Sequence, residues 1–77
     1  MPMTLDELRN GQTVVMLGFQ GGRGLARKLD AMGLRPGKEL RMISSQFMRG
    51  PITVLLDGRQ VALGRGIARR ILVEPRR

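Results

Sequence analysis

The sequence predicts a small, mainly β domain: an SH3-like barrel of about five short strands, with one short α-helix inserted after the first strand. Three observations carry this. Short runs of β-forming residues, "QTVVMLGF", "KELRMIS", "ITVLL", "RQVAL" and "ILVE", recur between Gly, Pro and Asp-Gly punctuation. Only the stretch from Arg23 to Met32 shows a clear helical repeat. The chain has 77 residues, enough for a single domain over 1–77, and a small antiparallel sheet hides its edges most economically by curling into a barrel.

The elements follow in order. "TLDE" at 4–7 has the form of a capping box, with Thr4 accepting from the backbone amide of Glu7 while Glu7 reaches back, so one helical turn is expected with Leu5 and Leu8 facing inward. "NG" at 10–11 breaks it. Residues 12–19 read as the first strand, and "QGGRG" after it as a loop. From Arg23 to Met32, Leu25, Leu29 and Met32 recur at i, i+4 and i+7 with Ala26 beside them, while Arg27, Lys28 and Asp30 fall elsewhere on the wheel. Gly33 then stands where a helix needs a left-handed residue past its end, and Leu34 where the chain folds back onto the last turn. Pro36 and Gly37 suit the central positions of a type II turn.

"KELRMIS" at 38–44 is the second strand, with Leu40 and Met42 on one face. "RGP" at 49–51 turns the chain into "ITVLLDGRQVAL". Asp57 and Gly58 form the type I′ pair of a two-residue hairpin, which sets Leu56 opposite Arg59, Val54 opposite Val61 and Ile52 opposite Leu63. Ile52, Val54, Val61 and Leu63 then share one buried face. "GRGIARR" at 64–70 makes one helical turn. "ILVE" at 71–74 is a last strand with Ile71 and Val73 on one side, ended by Pro75; Arg76 and Arg77 are expected to fray.

Composition excludes more functions than it suggests. With no Cys and no His, the chain offers neither disulfides, nor the best transition-metal ligands, nor a Ser/His/Asp or Cys/His arrangement for covalent catalysis, and Ser44 and Ser45 have no evident base. Six Met remain, but Met16, Met32 and Met42 fall where apolar core residues are needed. The six carboxylates, Asp6, Glu7, Asp30, Glu39, Asp57 and Glu74, are scattered, so neither a hydrolytic pair nor an oxygen cage for a metal is expected. The expectation is a protein that is not an enzyme and holds no cofactor. No apolar run approaches the ~20 residues that span a bilayer, and no signal peptide opens the chain, which points to a cytoplasmic protein.

The net charge of +8, from 14 Lys and Arg against 6 Asp and Glu, suggests an acidic partner. Nucleic acid is not expected, because stacking on bases would have to rest on Phe19 and Phe47, the two aromatics present. "GFQGGRGLARK" is a Gly-rich loop running into a helix, the setting of phosphate sites, but it lacks both the Walker Gly-Lys-Ser/Thr ending and the dinucleotide fingerprint. Its glycines are explained by the strand-to-helix turn.

Taken in order and spacing, the capped turn with Leu5 and Leu8, the Gly before the first strand, "L..MGLRPG", "GP" before the third strand and "VALGRGIARRILVE" closely resemble the FeoA family, the small cytosolic component of bacterial ferrous iron uptake. The resemblance runs from about Leu5 to Val73 and implies an SH3-like barrel. It also implies an accessory protein, recruited to the inner face of the cytoplasmic membrane, that binds and regulates the FeoB permease through its cytosolic GTPase domain. Such an adaptor need not touch the iron. The alternative from another class is a basic SH3-like barrel binding RNA or ribosomal surfaces through phosphate contacts. The matching positions Gly33, Leu34, Pro36 and Gly37, and the hairpin pair Asp57 and Gly58, have structural explanations and form the structural motif. The candidate partner-binding residues are Arg23, Arg27, Lys28 and Arg35, the densest basic group outside "ARR" at 68–70, set against the plain account of a solvated helix face.

Overall fold

The structure, a computed structural model, describes residues 2–45 and 50–76; Phe47 and the start of the turn expected at 49–51 lie outside them. Along the chain run strand β1 (Met3–Thr4), a 3-10 turn (Leu5–Glu7), strand β2 (Thr13–Phe19), helix α1 (Arg23–Ala31), strands β3 (Glu39–Ser45), β4 (Ile52–Leu56) and β5 (Arg59–Leu63), the single-turn helix α2 (Arg65–Ala68), and strand β6 (Ile71–Pro75). All pairings are antiparallel, in the order β1-β6-β2-β3-β4-β5.

This is the expected SH3-like architecture with two corrections. There are six strands among the described residues rather than five, because Met3 and Thr4 pair with Val73 and Leu72 before the capped turn begins. The sheet also curls without closing, so β1 and β5 remain edges. Closure is not needed to bury the core. Leu5, Leu8, Leu29, Leu34 and Ala68, all from segments between strands, complete a cluster whose strand residues are Val14, Met16, Leu40, Met42, Ile52, Val54, Leu56, Val61, Leu63, Ile71 and Val73.

Two irregularities bend the sheet. The register slips between Met16 and Gly18 against β6, and between Met42 and Ser44 against β4, leaving Leu17 and Ile43 as extra residues. Among the described residues these are the two large hydrophobic side chains that the fold leaves exposed. Leu17 resets the alternation in β2, so that beyond it Phe19, not Gly18, packs against the core.

The turns take the forms their sequences require. Leu56 pairs with Arg59, Val54 with Val61 and Ile52 with Leu63, across a turn in which Asp57 (φ 51°) and Gly58 (φ 78°) are both left-handed. At the end of α1, Leu34 N–H donates to Leu29 C=O at 2.8 Å and Gly33 N–H to Asp30 C=O at 3.0 Å, with Gly33 at φ 84°. That is a Schellman cap, and it folds Leu34 into the core. Lys38 N–H closes the next turn onto Arg35 C=O at 3.1 Å, with Gly37 at φ 93° as a type II turn demands. In the first turn Glu7 Oε1 accepts from Thr4 N–H at 2.8 Å. One terminal expectation fails. Arg76 is not frayed: its N–H donates to Thr13 C=O at 3.0 Å and its guanidinium pairs with Glu39 at 3.3 Å.

Candidate basic interface

Helix α1 presents the candidate residues because its other side is occupied. Leu29 is buried and Leu25 and Met32 pack against the core, which turns Arg23, Arg27 and Lys28 outward, all three exposed. Arg23, Arg27 and Asp30 fall at i, i+4 and i+7, one stripe along the helix, and Lys28 stands about 100° around from Arg27. The fourth candidate behaves differently. Arg35 Nε donates to Asp30 Oδ1 at 2.7 Å, so Arg35 and Asp30 neutralise one another at the far end of that stripe. With side chains 60% and 67% exposed, the pair contributes at most about 1 kcal/mol.

Two charges at the ends of α1 run against its own dipole. Arg23 occupies the first helical position, where the free amide groups already carry partial positive charge, and Asp30 sits in the last turn beside the free carbonyls. Each such placement costs a helix about 0.3–1 kcal/mol. The favourable cations at the C-terminal end are Lys28 in the last turn and, from outside the helix, Arg59, whose Nη2 donates to Met32 C=O at 2.5 Å and ties β5 to the end of α1. Helix stability therefore does not account for Arg23.

A fifth basic residue joins the group in space. Gln20 N–H donates to Arg70 C=O at 2.8 Å and Phe19 pairs with Ile71, so the exposed Arg70 lies beside the loop that leads into Arg23. The sequence shows "ARR" at 68–70 as a separate dense spot. The β2–β6 pairing sets the second spot beside the loop that precedes the first. Arg69 is turned toward Asp6, at 4.0 Å.

The rest of the surface offers less. A shallow depression on the outer face of the sheet is lined by Thr13, Glu39, Arg41, Leu55, Asp57 and Gly58, but its acids are committed, Glu39 to Arg76 and Asp57 to Lys38 at 2.9 Å. Among the described residues no three acidic side chains gather as metal ligands would. Glu7 has a carboxyl held below the usual carboxylate range, first by the Thr4 N–H bond and then by the Thr4 hydroxyl, and this serves the capped turn. No described helix is long and apolar enough to cross a membrane.

Comparison with known proteins agrees with this architecture. The sequence model of the FeoA domain matches residues 3–75. A Methanocaldococcus jannaschii protein, provisionally named Fe(2+) transport protein A, is 33% identical over 66 residues, covering 86% of this chain and 78% of its own. The crystal structure of an iron uptake regulatory protein (FeoA) superposes with a TM-score of 0.90 at 32% identity, over 96% of this chain and 97% of that one. The solution structure of a FeoA-like protein from Clostridium acetobutylicum gives 0.85 at 28% identity, over 96% and 86%. A manganese-dependent transcriptional repressor shares the fold alone, with a TM-score of 0.89 at 24% identity over 97% of this chain and 42% of the repressor. With the match spanning nearly every residue of the sheet and both helices, this chain belongs to the FeoA family, which is associated with ferrous iron transport.

Proposed function

We propose that the protein is a cytoplasmic accessory of ferrous iron uptake that binds the cytosolic GTPase domain of the FeoB permease through protein contact, and regulates it there. Membership of the FeoA family supports the iron-transport setting. The observation that carries the contact surface is the exposed stripe Arg23–Arg27 on α1, joined by Lys28 and Arg70. Its first cation stands where the helix dipole disfavours it, so its presence is better explained by a partner than by the fold. On a chain of net charge +8 these side chains steer an acidic surface into contact. Arg35, neutralised by Asp30, contributes little to that steering.

The test is the double variant Arg23→Glu with Arg27→Glu, compared with wild type for association with the purified FeoB cytosolic domain across a range of salt. The expected result is an association rate lower by about tenfold or more at low salt, a shallower salt dependence, and a melting temperature no lower than that of wild type. An unaltered rate and salt slope would remove α1 from the interface. If wild type itself shows no association with that domain, the partner is wrong.

A further inference from the structure

The two edges of the open sheet are not alike. β1 has two residues and offers almost nothing to a neighbouring strand. β5 has five, and it pairs with β4 in unbroken register from Leu56–Arg59 to Ile52–Leu63. In a two-residue hairpin the pair flanking the turn is hydrogen-bonded and the pairs then alternate, so the backbone groups of Val61 face β4 while those of Gln60 and Ala62 face outward. Among the described residues, the backbone of Gln60 and Ala62 makes no hydrogen bond beyond that ladder, and both residues are exposed. The edge therefore presents two N–H and two C=O groups in the spacing a further strand requires.

Exposed edges are ordinarily blunted by a central Lys, a Pro, a bulge or an inward charge. β5 has none of these between Gln60 and Leu63. Its one charged residue, Arg59, is drawn toward the end of α1 by Met32 C=O. Ala62 adds only a methyl group on the outward face, leaving room for a neighbour at the ~4.8 Å strand spacing.

From this we infer that β5 is the docking edge for an extended, acidic segment of the permease's cytosolic part, which adds to the sheet as a further antiparallel or parallel strand beside Gln60 and Ala62. The inference rests on the partner reading above. Charge selects this occupant over a second copy of the chain, because two molecules each carrying +8 repel at close approach, whereas an acidic strand is attracted. The long-range field brings the partner in, and the edge gives it a register.

Ala62→Pro tests the edge specifically. It deletes an N–H that points away from β4 and fills the edge with a ring, a substitution an edge strand accommodates in the folded state. The wild type and Ala62→Pro are titrated with the FeoB cytosolic domain, with Gln60→Ala as a side-chain control. In parallel, amide hydrogen exchange of wild type is followed with and without that domain. The expected result is affinity reduced at least tenfold for Ala62→Pro and within twofold of wild type for Gln60→Ala, with Gln60 and Ala62 amides slowed at least tenfold in the complex. Should Ala62→Pro not fold, the exchange measurement decides alone. Binding with Gln60 and Ala62 amides unprotected overturns the edge while leaving the partner intact. Absence of any binding overturns both. A concentration-dependent dimer of wild type that Ala62→Pro abolishes in ultracentrifugation assigns the edge to a second copy and overturns the acidic strand.

Discussion

Gly33 and Gly37 adopt nearly the same left-handed backbone, at φ 84° and 93°, yet an added methyl group meets different surroundings at each. At Gly37 nothing lies within 4 Å, so Gly37→Ala carries only the backbone penalty of about 1–2 kcal/mol. At Gly33 a Cβ would stand 2.9 Å from Arg59 Nη2 and 3.6 Å from Leu56 Cδ2. The guanidinium is the far end of a flexible side chain and can swing away, but doing so releases Met32 C=O. Losing that exposed hydrogen bond adds about 0.5–1.5 kcal/mol, for a sum of about 1.5–3.5 kcal/mol. In a domain of this size each kcal/mol lowers Tm by about 4–8 °C, so the two alanine variants separate clearly in thermal and urea unfolding followed by circular dichroism. The excess at Gly33 is further expected to shrink when Arg59→Ala is already present, since the displaced bond is then absent. Equal losses for Gly33→Ala and Gly37→Ala, or an excess that persists without the Arg59 side chain, would refute the assignment of Arg59 as the group that closes this helix end.

Two further outcomes follow from the core and the capped turn. Met42 is fully buried, so Met42→Ala is expected to cost about 2–5 kcal/mol and lower the urea midpoint with an unchanged m-value; a loss under about 1 kcal/mol would mean that the core collapses onto the gap. Glu7 has its folded-state pKa depressed by Thr4, so the unfolded chain binds the proton more readily, and the stability this contributes is present above the ordinary carboxylate range and lost as pH falls through the lowered value. The difference in urea midpoint between wild type and Glu7→Gln should therefore be largest near neutral pH and fade in acid, and a difference that stays constant down the acid limb would sink the capping account.

What the sequence made legible was chemistry that acts within a few residues. The Asp57-Gly58 turn fixes the hairpin register, the Gly33-Leu34 pair fixes the helix end, and Pro36-Gly37 fixes the corner, because each conformation is selected by a side chain or its absence at that position. Pairings between distant segments were not legible. Met3 and Thr4 carry no strand signal of their own and become β1 only because β6 offers them an edge. Arg76 is held by Thr13 and Glu39, both far away in sequence, and that cannot be seen from a terminal Arg pair. The candidate surface shows the same division. The helical repeat correctly turned Arg27, Lys28 and Asp30 outward, whereas the Asp30–Arg35 pair and the approach of Arg70 depend on the cap geometry and on the β2–β6 pairing.

Deletion is ordinarily the harshest change a strand can suffer, since removing one residue inverts every side chain beyond it. Position 17 is exempt. Without Leu17, residues 14 to 19 would read Val, Val, Met, Gly, Phe, a strictly alternating strand in which Val14, Met16 and Phe19 keep the inward positions they already hold and Gly18 still opposes Leu72. Leu17 is thus one residue added to an otherwise alternating strand, and its removal is expected to leave the interior unchanged.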